Sequence, residues 1–188
     1  MISLKRIFKS DILNNPLLNK INANNLWQKE IHLKRNEFLK VNGDIDTNIY
    51  FIKNGSLRIF VIDEAEEHTI RFGYENNLIT ALDSYLSEKP TEYYIQAIKA
   101  TEVLVINKSV VNGLILNNPE LQTFWNQLLE QIIIEQLERE RDILTTSPLQ
   151  RYQRVLARSP QLFQEIPSKY IASYLRMTPE TLSRLKKS

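Results

Sequence analysis

Apolar positions recur with two different periods along this chain, and the changes of period divide it. From Ile31 to about Asn107 they alternate with polar residues in short runs: Ile49-Tyr-Phe-Ile52, Ser56-Leu-Arg-Ile-Phe-Val-Ile62, His68-Thr-Ile-Arg-Phe72, Tyr93-Tyr-Ile-Gln-Ala97 and Glu102-Val-Leu-Val-Ile106. A period of two is that of half-buried strands. Lys53-Asn54-Gly55 reads as a hairpin turn, because Asn and Gly both accept positive φ, and the acidic run Asp63-Glu64-Ala65-Glu66-Glu67 reads as the next turn. A short helix is expected around Ala81–Leu86. Many short strands with regular turns predict a small barrel or jelly roll. Ahead of them, Leu4, Ile7 and Phe8, then Leu17, Leu18, Ile21, Leu26 and Trp27, predict a helical lead-in broken at Asn15-Pro16.

After Asn118-Pro119 the period becomes helical through Leu144, a span of roughly 37 Å. Its apolar residues include Leu121, Phe124, Trp125, Leu128, Leu129, Ile132, Ile133, Ile134, Leu137 and Leu144. That set is too broad for one stripe, so one face is expected against the barrel and the other against the same helix of a second copy. The mixed charges Glu138-Arg-Glu-Arg-Asp142 read as a solvated stretch or as pairs across that axis. Thr146-Ser147-Pro148 reads as a hinge. The helix it opens has Leu149, Tyr152, Val155 and Leu156 inward and Arg151, Arg154 and Arg158 outward.

Ser168–Leu175 and Pro179–Lys187 then form two short helices around a turn at Arg176-Met177-Thr178. Thr178 is a good N-cap and Pro179 suits the first helical position. Ile171, Leu175, Met177, Leu182 and Leu185 sit where two steeply crossing helices need apolar side chains, with Ala172 at the close approach. This is the pattern of a DNA-binding helix-turn-helix. Arg184 and Glu180 would read base edges, Thr181 and Ser183 lie on the same face, and Lys169, Thr178, Lys186 and Lys187 would hold phosphates. Arg176 stands where such a turn commonly has glycine. A left-handed conformation there costs about 1–2 kcal/mol.

Composition narrows the chemistry. Without cysteine, disulfides, thiolate catalysis, iron–sulfur clusters and thiolate zinc sites are excluded. His32 and His68 alone cannot build a multi-histidine centre, so no catalytic residue and no metal site is expected, and a cupin-type enzyme is disfavoured. No apolar window approaches the ~20 residues of a membrane span, and a cytoplasmic protein without a membrane partner is expected. The net charge of the 188 residues is +2, yet from Pro148 onward eight Lys/Arg face two acids, giving +6 there. A basic tail on an acidic body is the electrostatic pattern of a DNA reader attached to something else.

Tyr50-Phe-Ile-Lys-Asn-Gly-Ser-Leu-Arg-Ile-Phe60, with Gly43-Asp44 ahead and Glu102-Val-Leu-Val-Ile106 behind, resembles the cyclic-nucleotide-binding fold. With the terminal helix pair, the order resembles the CRP/FNR family of bacterial transcription regulators. The resemblance implies an α+β chain in three parts: a jelly-roll or barrel sensor at residues 1–118, a long dimerisation helix at 119–146, and a winged-helix-like helix-turn-helix domain at 147–188. It implies double-stranded DNA and a second copy as partners, with RNA polymerase as a further one. It also implies a nucleotide site between Leu78 and Ala97, where the family's ribose-capping turn falls near Thr80-Ala81-Leu82 and its phosphate-holding Arg-Ser pair near Thr91-Glu92. The arginine is missing and a carboxylate stands there instead, so no cofactor is expected and cyclic AMP is disfavoured. Asp83, Ser84, Tyr85, Thr91 and Tyr93 remain candidates for lining a pocket for another effector, against surface and core roles for the same residues. The competing reading is a ligand-binding or protein-interaction module of the same fold with a weakened DNA-binding end.

Overall fold

The computed structural model describes residues 15–187. The helix expected over Leu4, Ile7 and Phe8 lies outside them. Sixteen elements follow one another among the described residues. Helix α1 (Pro16–Ala23) is capped by Asn15, whose side chain accepts from the Leu18 amide, and it buries Leu17, Leu18 and Ile21. Eight strands come next: β1 (Lys29–Leu33), β2 (Phe38–Lys40), β3 (Asn48–Asn54), β4 (Ser56–Asp63), β5 (Glu66–Tyr74), β6 (Leu78–Ile79), β7 (Tyr94–Ala97) and β8 (Thr101–Asn107). Helix α2 (Leu82–Ser87) interrupts them between β6 and β7. After β8 come α3 (Lys108–Leu116), α4 (Pro119–Leu144), α5 (Pro148–Arg158), α6 (Pro160–Glu165), α7 (Ser168–Tyr174) and α8 (Pro179–Leu185).

The strands form two four-stranded sheets, ordered β1-β8-β3-β6 and β2-β7-β4-β5. The first is antiparallel throughout, with Ile31 opposite Val103 and Tyr50 opposite both Val105 and Ile79. Side chains of both sheets meet in one core: Leu33, Tyr50, Ile52, Leu57, Ile59, Ile79, Ile95, Ala97, Val103 and Val105 are all buried. A second cluster joins Leu17 and Ile21 of α1 to Ile49, Ile106, Tyr85, Val111, Ile115 and Leu121.

Two local expectations change. Lys53-Asn54-Gly55 does not close a hairpin, because β3 and β4 fall in different sheets. Gly55 turns the corner at φ +103, and a Cβ there would collide with Thr101 and the carbonyl of Ala100. Glycine is therefore required by a close approach as well as by its dihedral. Helix α3 has no counterpart among the sequence expectations. Asn107 caps it at the Ser109 amide, and Val111 and Ile115 carry its buried face.

Tertiary contacts divide the chain into two compact units. One contains the chain through Ile59 together with Phe72–Ile132, and the other contains Phe60–Arg71 together with Ile133–Ser188. The second unit thus holds the tip of the β4–β5 hairpin, the C-terminal half of α4, and α5 to α8. Within it, Val155, Leu162, Ile166, Ile171, Leu175 and Leu182 are buried. Between α5 and α7 stands α6, with Ser159 before it and Ile166 after it.

Candidate nucleic-acid interface and effector seat

The α7–α8 pair closes as the sequence predicts, and the backbone shows how. Leu175 ends α7, Arg176 is left-handed at φ +52, and the Arg176 and Met177 amides donate to the carbonyls of Ser173 and Ala172, each at 3.1 Å. Those two bonds define a Schellman stop, which favours a left-handed residue at the position Arg176 occupies. Thr178 accepts the Thr181 amide and starts α8. Leu182 is fully buried, so Glu180, Ser183, Arg184, Lys186 and Lys187 are exposed and Thr181 half-exposed. Lys169 and Thr178 are exposed as well. Arg184 reaches the Thr181 hydroxyl at 3.5 Å, and Lys186 donates to Ser168 at 2.8 Å. Hydrogen bonds from its own backbone amide, then from Thr178, with Arg184 nearby, hold the Glu180 carboxyl below the usual carboxylate range.

Three arginines assigned to an outward face do not belong there. Arg151 is 7 % exposed and donates to the carbonyls of Thr145 (2.7 Å) and Arg176 (3.0 Å). Arg154 donates to Asp142 at 3.0 Å and to Glu138 at 2.9 Å, and Arg158 pairs with the same two carboxylates. Leu149, expected inward, is exposed. The reason is that Asp142 on α4 is fully buried and needs cations, which the Arg154–Arg158 edge of α5 supplies as direct ion pairs. Glu138 and Asp142 therefore bind α4 to α5, and the turn through Ser147 is bridged on both sides. From Pro148 onward, the exposed cations among the described residues are Lys169, Arg176, Arg184, Lys186 and Lys187.

In the first unit the candidate effector residues separate. Asp83, in the first turn of α2, accepts the Thr91 hydroxyl at 2.8 and 3.0 Å and the Glu92 amide at 2.9 Å. Thr91 is itself fixed by backbone bonds to Gly43 and Asp44. The donors at the expected phosphate-holding pair thus already bind a carboxylate, and it is the chain's own. Ser84 turns the other way and accepts the buried Asp46 amide at 2.8 Å. Asp46 in turn accepts the Tyr50 hydroxyl at 2.8 Å, and burial together with that carboxylate pushes the Tyr50 phenol up. Tyr85 packs in the second core cluster beside Trp125, and burial raises its phenol to about 12; its hydroxyl has no hydrogen-bond partner among the described residues. Tyr93 packs against the first core.

One group of possible metal ligands gathers among the described residues. His32 lies between Glu30 (4.0 Å) and Glu102 (3.8 Å) on the exposed side of β1 and β8. Glu30 already accepts Lys53 at 2.6 Å, which holds its carboxyl below the ordinary range. No described helix is long and apolar enough to cross a membrane.

Comparison with known proteins places this geometry. Residues 30–118 match the family described as the cyclic nucleotide-binding domain. No curated protein matches the sequence. In fold the chain is similar to a CooA mutant from Carboxydothermus hydrogenoformans, with a TM-score of 0.74 and 15% identity over 98% of this chain and 86% of that one. It is similar to FixK2 from Bradyrhizobium japonicum, with a TM-score of 0.68 and 14% identity over 85% and 82%. It is also similar to the c-di-GMP responsive global regulator CLP of Xanthomonas campestris, with a TM-score of 0.60 and 12% identity over 85% and 84%. Residues 30–118 thus match a cyclic nucleotide-binding domain, and the chain shares the fold of these solved structures.

Proposed function

We propose that this chain is a homodimeric, sequence-specific DNA-binding transcription regulator of the CRP/FNR type that does not respond to cyclic AMP. The observation that carries the reading is the α7–α8 pair: a helix-turn-helix whose second helix buries Leu182 and leaves Glu180, Ser183, Arg184, Lys186 and Lys187 exposed. Arg184 and Glu180 read bases in the major groove, with Thr181 and Ser183 beside them. Lys169, Thr178, Lys186 and Lys187 set the register on phosphates. Arg176, the residue behind the competing reading of a weakened end, does not prevent the turn from closing with both of its backbone bonds.

Residues 1–118 act as sensor, 119–146 as dimerisation helix and 147–188 as DNA-binding domain. Support for the dimer comes from Ile133, Leu137 and Leu144, which lie on one face of α4 and are 59%, 59% and 72% exposed. Such a stripe is costly in water and suits the same helix of a second copy. Two recognition helices then enter major grooves about 34 Å apart, where the complex acts on RNA polymerase.

The sensor segment lacks the arginine that would neutralise a nucleotide phosphate, and Asp83 occupies the remaining donors. Effector control, where it operates, works through unequal affinity for two arrangements of the dimer. The test is selection of bound fragments from genomic DNA followed by mobility shift. A shift that is lost in Arg184→Ala and indifferent to added cyclic AMP supports the reading. The absence of any selected fragment overturns it.

A further inference from the structure

The tip of the β4–β5 hairpin belongs to the same compact unit as the α7–α8 pair, and a built junction joins them. Ser173, on α7, donates to the Glu67 carbonyl at 2.8 Å and accepts the Thr69 amide at 3.0 Å, with the Thr69 hydroxyl 3.2 Å away. From α4, Arg139 completes it. Its guanidinium lies 3.8 Å from the ring centre of Tyr174 and donates through Nη2 to the Thr69 carbonyl at 3.3 Å. Arg139 is 6 % exposed, its charge is opposed by burial, and Nη1 has no partner among the described residues. A guanidinium is kept out of water here for what its plane touches: the ring on its face and a carbonyl at its edge. A lysine would reproduce this less well, because its ammonium has no flat face to lie along the ring and no fixed edge to aim at the carbonyl.

We infer that Arg139 and Ser173 are positioning residues for DNA recognition, fixing α7, and with it the recognition helix, against the hairpin tip and the C-terminal half of α4. The inference rests on the DNA-binding reading above and adds to it that the hairpin is a working part of the DNA-reading unit. Neither residue lies on the exposed face of α8. Their effect on DNA is through preorganisation, because a pair of helices already held in place loses less freedom on binding.

The experiment uses the full chain and one selected DNA fragment. Ser173→Ala removes the bridging hydroxyl and Arg139→Lys keeps the charge while losing the stack. In Ser173→Ala, hydrogen exchange at the Thr69 amide, measured without DNA, accelerates about tenfold, the effect of losing a single hydrogen bond of ordinary strength. In both variants DNA affinity falls about three- to tenfold, and the slope of log affinity against log salt stays at the wild-type value. Lys187→Ala serves as the contrast, lowering that slope by about one. Circular dichroism melts verify that each variant is folded; if Ser173→Ala is not, Arg139→Lys carries the test alone. Faster Thr69 exchange with unchanged or tighter DNA binding overturns the positioning role, as does a salt slope that drops with the affinity. A wild-type chain that binds no DNA overturns the regulator reading itself, and an unchanged affinity in the variants of a binding chain overturns only this inference.

Discussion

Arg151 donates one guanidinium N–H to the backbone carbonyl of Arg176 at 3.0 Å, across 25 residues of sequence. A cation expected on the surface thereby supports the turn between α7 and α8 from inside. Burial, then the nearby Arg176, lowers its readiness to hold a proton, but a guanidinium remains charged throughout the working pH range. The position it supports carries an unfavourable left-handed φ of +52.

Replacing Arg176 with glycine should therefore stabilise the fold. The left-handed cost disappears while the carbonyl that Arg151 needs is kept. Part of the gain is returned through the greater freedom of glycine in the unfolded chain. The expected net is about 0.5–1 kcal/mol, a rise in melting temperature of about 1–4 °C for a chain of this size. A lower melting temperature would show that the Arg176 side chain contributes more than its backbone costs.

Asp142→Ala should be the most damaging single change at the α4–α5 corner. It removes a fully buried carboxylate and leaves Arg154 and Arg158, each a little over a quarter exposed, with only the half-exposed Glu138 between them. Because both arginines can still reach water, the loss belongs near the low end for a broken buried pair, about 2–3 kcal/mol. Glu138→Gln, at a partly exposed carboxylate, should cost less than about 1 kcal/mol. Chemical denaturation of the two variants side by side checks the order.

Tyr85→Phe should be neutral or stabilising by up to about 1 kcal/mol, since the hydroxyl it deletes is buried without a hydrogen bond. The change also has a pH signature. A phenol raised to about 12 in the fold, against an ordinary value of 10.0, contributes stability that is present below pH 10 and lost as pH rises toward 12. Denaturation at pH 8 and pH 11 should show a smaller alkaline loss in the phenylalanine variant.

If α4 carries the proposed dimer, Leu137→Glu should prevent association. Leu137 and Ile133 lie one helical turn apart, both more than half exposed, and a carboxylate there would meet its own copy across a two-fold axis. Sedimentation equilibrium should give a dimer for the wild type and a monomer for the variant, with DNA binding weakened because one half-site is then read at a time.

What the sequence makes legible is what depends on near neighbours. Asn118 and Pro119 announce α4 because cap and first-turn geometry are local, and its amides at Glu120 and Leu121 do bond Asn118. Thr178 and Pro179 announce α8 for the same reason. The outward face of α8 follows from Leu182 alone, since a single fully buried residue fixes the orientation of a seven-residue helix. Helix α3 is illegible because Asn112 and Gly113 interrupt its apolar spacing, and packing of Val111 and Ile115 decides it instead. The roles of Arg151, Arg154 and Arg158 depend on carbonyls and carboxylates 6 to 25 residues away, and a periodicity that sorts charged from apolar assigns all three to solvent. Asp83 is a similar case: Thr91 reads as a candidate pocket residue, and nothing in its spacing shows that a carboxylate one helix earlier already accepts its hydroxyl.

The four-residue ion cluster at the end of α4 has a mechanical consequence. Rotating α5 about the Thr145–Ser147 connection would break the pairs of Asp142 and Glu138 together with the Arg151 tie to Thr145, all at once. The elbow is therefore stiff. Motion of the C-terminal half of α4 carries α5 with it as one rigid limb.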